Sequence, residues 1–258
     1  MDLKHLIAIT RHVSPAINLC ELTMLQRQPI DVERAASQHL AYEAALRLAG
    51  AQVHSLPAEP DLPDSVFVED VAIVLDECAL ITRPGAVSRQ PETESVARAL
   101  SPYRELFTIQ APGTLDGGDV LVVGKTVYVG LSTRTDRQAL DQMQAHLGPF
   151  GYRLQAVPVH GCLHLKSAVT LLAADRLLVN PQWVDRENFP GMSLIEVDPA
   201  ENYAANALLV GETVIYQPAF PRTLARLEAV GIAPRLVDQS ELAKAEGALT
   251  CCSLVFIG

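Results

Sequence analysis

"LVVGKTVYV" at residues 121–129 and "LLVGETVIY" at 208–216 are nearly the same nine residues written twice. Each is an apolar run, a Gly-Lys or Gly-Glu pair, and a second apolar run. That pattern predicts a β-hairpin, and glycine in the first turn position suits a type II′ turn. Two further stretches share the form, "VAIVLDECALIT" (71–82) and "AVTLLAADRLLVN" (168–180). Hairpins are therefore expected over 71–82, 119–130, 168–180 and 206–217.

Three of these hairpins lead into segments with apolar residues at helical spacing: "ETESVARAL" (92–100), "TDRQALDQMQAHL" (135–147) and "TLARLEAVG" (223–231). A short strand then follows each, in "LFTIQAP", "RLQAVPVH" and "PRLVDQS". The unit is strand–strand–helix–strand, repeating every 37 to 50 residues or so, a period that belongs to blades and solenoids. A fifth unit is split between the chain ends. "TCCSLVFIG" (250–258) supplies its first strand and "LIAIT" (6–10) its second, followed by a helix over 32–50 and the strand "QVHSLP". Pairing the last strand with the first closes a ring and removes exposed edges. The expectation is an α/β fold of the five-bladed α/β-propeller type, one domain over residues 1–258.

Composition narrows the function classes. The chain is 49% apolar and 19% charged, as an ordered globular protein is, and its formal net charge of −10 disfavours nucleic acid and anionic membrane surfaces. No apolar run reaches the ~18 residues of a membrane span, and "MDLKHLIAIT" lacks the apolar segment and cleavage site of a signal peptide. The reading is cytoplasmic. Five cysteines, at 20, 78, 162, 251 and 252, fit neither a disulfide framework nor a zinc pattern, so reduced thiols are expected and no metal or cofactor is called for. Nothing decides the oligomeric state, and a homodimer is allowed.

The chemistry stands just before the hairpins. "FVED" carries Glu69 and Asp70, "LDGGD" carries Asp116, "LHLKS" carries His164 and "TCCS" carries two thiols. In the repeat register these positions converge on one end of the ring axis. Carboxylates, an imidazole and a thiol around one well form a cation-binding set, a proton shuttle and a nucleophile. The remaining histidines, and Cys20, Cys78 and Cys162, fall outside the register and read as structural.

With "PDSVFVED" (63–70), "ITRPGAVSR" (81–89), "TLDGGDVL" (114–121), "VGLSTRT" (129–135), "LHLKS" (163–167) and "LTCCS" (249–253) together, the chain resembles the dimethylarginine dimethylaminohydrolases of the guanidine-modifying pentein superfamily over essentially its whole length. The resemblance implies a five-bladed pentein propeller. It also implies hydrolysis of asymmetric dimethylarginine and monomethylarginine to citrulline and a methylated amine, through a covalent thiouronium on cysteine. It assigns Cys251 as nucleophile, His164 as general acid and base, and Asp116 as the carboxylate of the Asp-Gly-Gly-Asp motif. Asp64, Glu69 and Asp70 become substrate-contacting acids. Arg89 and Arg134 hold the substrate α-carboxylate, and the carbonyls of Leu19 and Ala245 receive its α-amine.

Each residue type suits a planar guanidinium. Carboxylates bind its forked N–H donors, a thiolate attacks its carbon, and an imidazolium protonates the leaving amine. Clustered acids raise a thiol pKa, so the thiolate is expected to be the minor species until the cationic substrate arrives. Strand alternation adds that only one of Cys251 and Cys252 can face the well. The rival enzyme reading is an arginine deiminase acting on free arginine; those enzymes are longer, with an "FTRD"-like motif where this chain has "FVED". A peptidyl- or agmatine-directed relative does not suit two arginines placed for a free carboxylate. A binding module of this fold, such as a ribosomal-subunit anti-association factor, has no reason to keep cysteine, histidine and acids in one register, and −10 suits a ribosome poorly.

Overall fold

Each repeat predicted from the sequence folds into a three-stranded sheet whose strands are too short to stand alone and must pack in a ring. The computed structural model describes residues 5–258; residues 1–4, which the single-domain expectation includes, lie outside the described residues. The chain begins with β1 (Leu6–Arg11), α1 (Val32–Leu48) and β2 (Gln52–Leu56). The second unit is β3 (Ala72–Val74), β4 (Cys78–Ile81), α2 (Thr93–Leu100) and β5 (Glu105–Thr108). The third is β6 (Val120–Val123), β7 (Thr126–Leu131), α3 (Arg137–Leu147) and β8 (Arg153–Pro158). A one-turn helix α4 (Leu165–Ala168) opens the fourth, with β9 (Val169–Ala173), β10 (Arg176–Val179) and β11 (Ser193–Glu196). The fifth is β12 (Leu208–Val210), β13 (Thr213–Tyr216), α5 (Pro221–Ala229) and β14 (Arg235–Leu236), after which α6 (Ser240–Ala243) leads to β15 (Leu254–Ile257).

The five sheets share one plan: an antiparallel pair, then a third strand parallel to the middle one. In four of them a helix makes the parallel crossover, and in the fourth unit a 3-10 turn at Arg186–Asn188 does so. The outer members of the ring meet as expected, with β15 antiparallel to β1 in the register Leu6↔Ile257 to Ile9↔Leu254. Middle strands are covered on both faces and so read as continuous apolar runs; all four residues of β4 are buried. Both Gly-X hairpin turns have a left-handed glycine, Gly124 at φ 56° and Gly211 at φ 59°, followed by a residue with negative φ, the type II′ pattern.

One strand of every sheet, namely β3, β6, β9, β12 and β15, contributes to the walls of a single cavity of about 230 Å³. That cavity is the axial channel of the propeller. In its wall Glu69 meets Lys166, Oε1 to Nζ at 2.5 Å. The acids of the second and third units, the histidine and the thiol lie on or just before the short turns that lead into β3, β6, β9 and β15.

Candidate active site

Those turns are single 3-10 or α turns: Val68–Val71, Gly117–Asp119, Leu165–Ala168 and Thr250–Cys252. Extended residues precede two of them, Asp116 (φ −104°, ψ 134°) and His164 (φ −134°, ψ 161°), which aims their side chains away from the turn that follows. They converge on one pocket lined by Asp64, Asp70, Arg89, Asp116, Arg134, His164, Ala245 and Cys251, together with Glu21 and Glu246. Eight of the ten residues singled out in the sequence are thus brought together.

His164 sits between carboxylates, its Nε2 at 3.0 Å from Asp116 Oδ2 and its Nδ1 at 3.7 Å from Asp70 Oδ1. Burial by itself disfavours the imidazolium, yet Asp70, the hydrogen bond to Asp116, and Asp119 together raise its pKa from 6.5 to about 9. The imidazole is therefore protonated at neutral pH. Asp116 is fixed in turn by the Gly85 amide, which donates to Oδ1 at 2.8 Å. Gly85 has to be glycine for this approach, since a Cβ there would lie 2.8 Å from Arg134 Cα. Gly118 is tight for a similar reason: its amide donates to Asp70 Oδ1 at 3.0 Å, and a Cβ on it would collide with His164 Nδ1.

Cys251 lies in the middle of the Thr250–Cys252 turn, which is clamped from both sides. Tyr42 donates its hydroxyl to the Leu249 carbonyl at 2.9 Å and lies 2.6 Å from Ser253 Oγ, while Asn206 bonds both the amide and the hydroxyl of Thr250. Burial raises the Cys251 thiol pKa, and the charges of Asp70 and Glu69 raise it further against a smaller opposing effect of Lys166. The free protein accordingly pairs a neutral thiol with an imidazolium. Cys252 is fully buried beside Tyr42 and Leu249, in the core under α1. The expectation that one thiol faces the well and the other the core is met, but strand alternation is not the reason. Both cysteines belong to a 3-10 turn, because the extended strand starts only at Leu254.

Three expected contacts come out differently in detail. Arg89, expected to reach out to a carboxylate, is buried and already paired: Nη1 donates to Asp70 Oδ2 at 2.6 Å, Nη2 to Glu92 Oε2 at 2.8 Å, and further bonds reach the carbonyls of Asp64 and Phe67. Two desolvated carboxylates with a cation within reach capture it. Glu69, expected beside Asp70, points into the axial channel and pairs with Lys166, since successive residues of a turn project to different sides. Leu19 ends the turn Ile17–Leu19 with 74% of its surface accessible, and does not line the pocket.

Two buried acids were missed. Asp119 accepts from Ser132 Oγ (2.6 Å), Thr135 Oγ1 (2.7 Å) and the Leu165 amide (2.9 Å), and so pins the turn that carries His164. Glu92 grips Arg89, and burial lifts its pKa to about 7 against the pull of that guanidinium. The second aspartate of "DGGD" and the i, i+3 pair in "RQPE" were the available signals. Asp70, Asp116 and His164 also present ligand atoms within 4.8 Å of one another, close enough for a cation, but Arg89 and the imidazolium already meet their charge.

The comparisons with known proteins agree with this geometry. A family model described as N,N-dimethylarginine dimethylhydrolase, eukaryotic, matches residues 10–187. The N(G),N(G)-dimethylarginine dimethylaminohydrolase of Pseudomonas aeruginosa is 37% identical over 98% of this chain and 99% of its own, and that of Streptomyces coelicolor is 39% identical over 96% and 95%. A crystal structure of a dimethylarginine dimethylaminohydrolase adduct with S-methyl-L-thiocitrulline superposes with a TM-score of 0.93 at 34% identity, covering 98% of this chain and all of the other. A cysteine-to-serine mutant of the Pseudomonas enzyme complexed with citrulline gives 0.92 at 35%, covering 99% and 100%. The N-terminal domain of a cyanobacterial arginine dihydrolase, at 17% identity and a TM-score of 0.82, shares the fold. With near-complete coverage on both sides of each close comparison, and the histidine, acids and thiol gathered in one pocket, the chain belongs to the dimethylarginine dimethylaminohydrolase family.

Proposed function

We propose that this protein hydrolyses Nω-methylated arginines, asymmetric dimethylarginine and monomethylarginine, to citrulline and dimethylamine or methylamine. The observation that carries the reading is that His164 and Cys251 line one acid-rich pocket, where neighbouring acids raise the imidazole pKa and burial with the same acids raises the thiol pKa. Such a pocket is matched to a cation. The guanidinium of the substrate offsets the acids that hold the thiol neutral, so Cys251 gives up its proton to solvent when substrate binds.

Thiolate then adds to the guanidinium carbon, forming a C–S bond and a tetrahedral adduct. His164 donates its proton to the methylated nitrogen, the C–N bond breaks and the neutral amine departs, leaving a thiouronium on Cys251. His164, now neutral, takes a proton from water as the oxygen adds to the same carbon. The hydroxyl of this adduct releases its remaining proton to solvent as the C–S bond breaks, and citrulline leaves with the thiolate restored. Asp116 orients the imidazole and sustains its charge. Asp64 and Asp70 hold the guanidinium, and Arg134, at the pocket mouth, receives the α-carboxylate. Arg89 contributes by fixing Asp70 and by the Nη1 hydrogen left over from its pairings. The Ala245 carbonyl receives the α-amine. No step calls for a metal or cofactor.

The ligand is a small molecule. No helix among the described residues is long and apolar enough to cross a membrane. The test is a substrate panel scored for citrulline. Asymmetric dimethylarginine and monomethylarginine should turn over far faster than arginine, and faster turnover of arginine would replace this reading by an arginine deiminase.

A further inference from the structure

Glu246 lines the pocket but takes no part in the chemistry above. It is also the only non-glycine residue with positive φ, 60°, among the described residues. The reason is local: α6 ends in a Schellman motif, with the Gly247 amide bonded to Leu242 O at 3.0 Å and the Glu246 amide to Ala243 O at 3.2 Å. The left-handed position of that motif is usually glycine, and asparagine tolerates it; a glutamate there is under strain. The side chain does something that neither glycine nor asparagine could do.

Its carboxylate accepts from three successive backbone amides of the segment that follows Glu21, itself a residue of the pocket wall. They are Thr23 (3.0 and 3.1 Å to the two oxygens), Met24 (2.5 Å) and Leu25 (2.6 Å). The same segment is tied to the substrate-binding set at two more points. Arg134 donates from Nη2 to Thr23 Oγ1 at 2.7 Å, and Asp64 accepts from the Glu21 amide at 3.1 Å. The pocket itself retains only about 20 Å³, room for about one water.

We infer that Glu246 is a positioning residue: its carboxylate holds residues 23–25 beside the pocket and, through Thr23, sets the Arg134 guanidinium in place for the ligand's α-carboxylate. The inference rests on the function proposed above for what Arg134 binds. Because three bonds to a charged acceptor converge on one side chain, a single substitution releases the whole segment. It does so without touching the thiol or the imidazole.

The experiment compares wild type with Glu246→Asn, which suits positive φ but is uncharged and one methylene too short, and with Thr23→Val, which removes only the acceptor for Arg134. Amide hydrogen exchange is followed at residues 23–25 without ligand, and kcat and KM are measured for asymmetric dimethylarginine. In Glu246→Asn, exchange at 23–25 should be at least about tenfold faster. KM should rise on the order of tenfold with kcat changed less than about threefold, as loss of roughly one charged hydrogen bond in binding predicts. Thr23→Val should reproduce the KM increase with a smaller change in exchange. Unchanged exchange in Glu246→Asn overturns the inference, and so does an unchanged KM, which would leave Glu246 as a helix cap alone. If wild type fails to hydrolyse methylated arginines, the functional proposal falls, while the ligand-free exchange measurement still decides whether the carboxylate holds the segment.

Discussion

Replacing Asp116 by Asn should make His164 a weaker proton carrier by an amount the structure allows to be estimated. The native environment lifts the imidazole pKa from 6.5 to about 9, against the opposing effect of burial, which corresponds to roughly 3 kcal/mol favouring the imidazolium. Among the described residues Asp116 makes the only hydrogen bond to the ring, at 3.0 Å, and a hydrogen bond to a charged group contributes about 1.5–3 kcal/mol. In the variant, Asn Oδ1 can still accept from the Gly85 amide, which turns the Nδ2 donor toward Nε2. The ring can satisfy that donor only by presenting a lone pair, so the proton at Nε2 is actively disfavoured. Titration of His164, followed by NMR of isotope-labelled histidine with a His164→Gly variant for assignment, should therefore move down by at least about one pH unit. On the proposed mechanism, kcat at neutral pH should fall on the order of a hundredfold. The folded-state pKa lies above the unfolded value, so the native state holds the proton more tightly. The resulting stability is fully present below about pH 6.5 and is lost as pH rises through about 9. In the variant that loss should be smaller and complete at lower pH. A His164 that titrates identically in wild type and Asp116→Asn would refute the assignment of the charge to this pair.

Cys251→Ser should abolish turnover, because a hydroxyl is a far weaker nucleophile than a thiolate, whereas Cys252→Ser should keep most activity with a modest loss of stability measured by denaturant titration. Acid-quenched mass spectrometry should find the covalent intermediate on Cys251; an adduct on Cys252 would reverse the two. In the ligand-free protein, iodoacetamide should label Cys251 slowly at pH 7 and progressively faster as pH rises, since burial and nearby acids hold the thiol neutral. Fast, pH-independent labelling would show a thiolate already present. Gly118→Ala should fold but lose most activity, because its methyl group runs into His164 Nδ1 and lies 2.8 Å from Asp70 Oδ1. Wild-type turnover in that variant would mean the ring is not held where we describe it.

The hairpins and helices were legible because each is written within a dozen residues. Alternation, Gly-X turns and apolar spacing are local signals, and they placed β6–β7 and β12–β13 to within a residue or two. The missing helix of the fourth unit was legible as well, in that no helical spacing follows 168–180. The turn before β15 was not. "TCCSLVFIG" reads as one continuous strand, and its conversion to a 3-10 turn over 250–252 is imposed by Tyr42 and Asn206, which contact it from more than 40 residues away in the chain.

By itself, then, the sequence determined the fivefold repeat, the closure of the ring and the register that carries a thiol, an imidazole and carboxylates to one place. All of these follow from periodicity. Only the tertiary structure decided which charge answers which. Arg89 turns inward to Asp70 and Glu92, Glu69 crosses to Lys166 in the channel, and Glu246 reaches the amides of residues 23–25. A buried charge chooses its partner by distance and by how completely each candidate is stripped of water. Those quantities exist only once segments remote in the chain have been packed against one another.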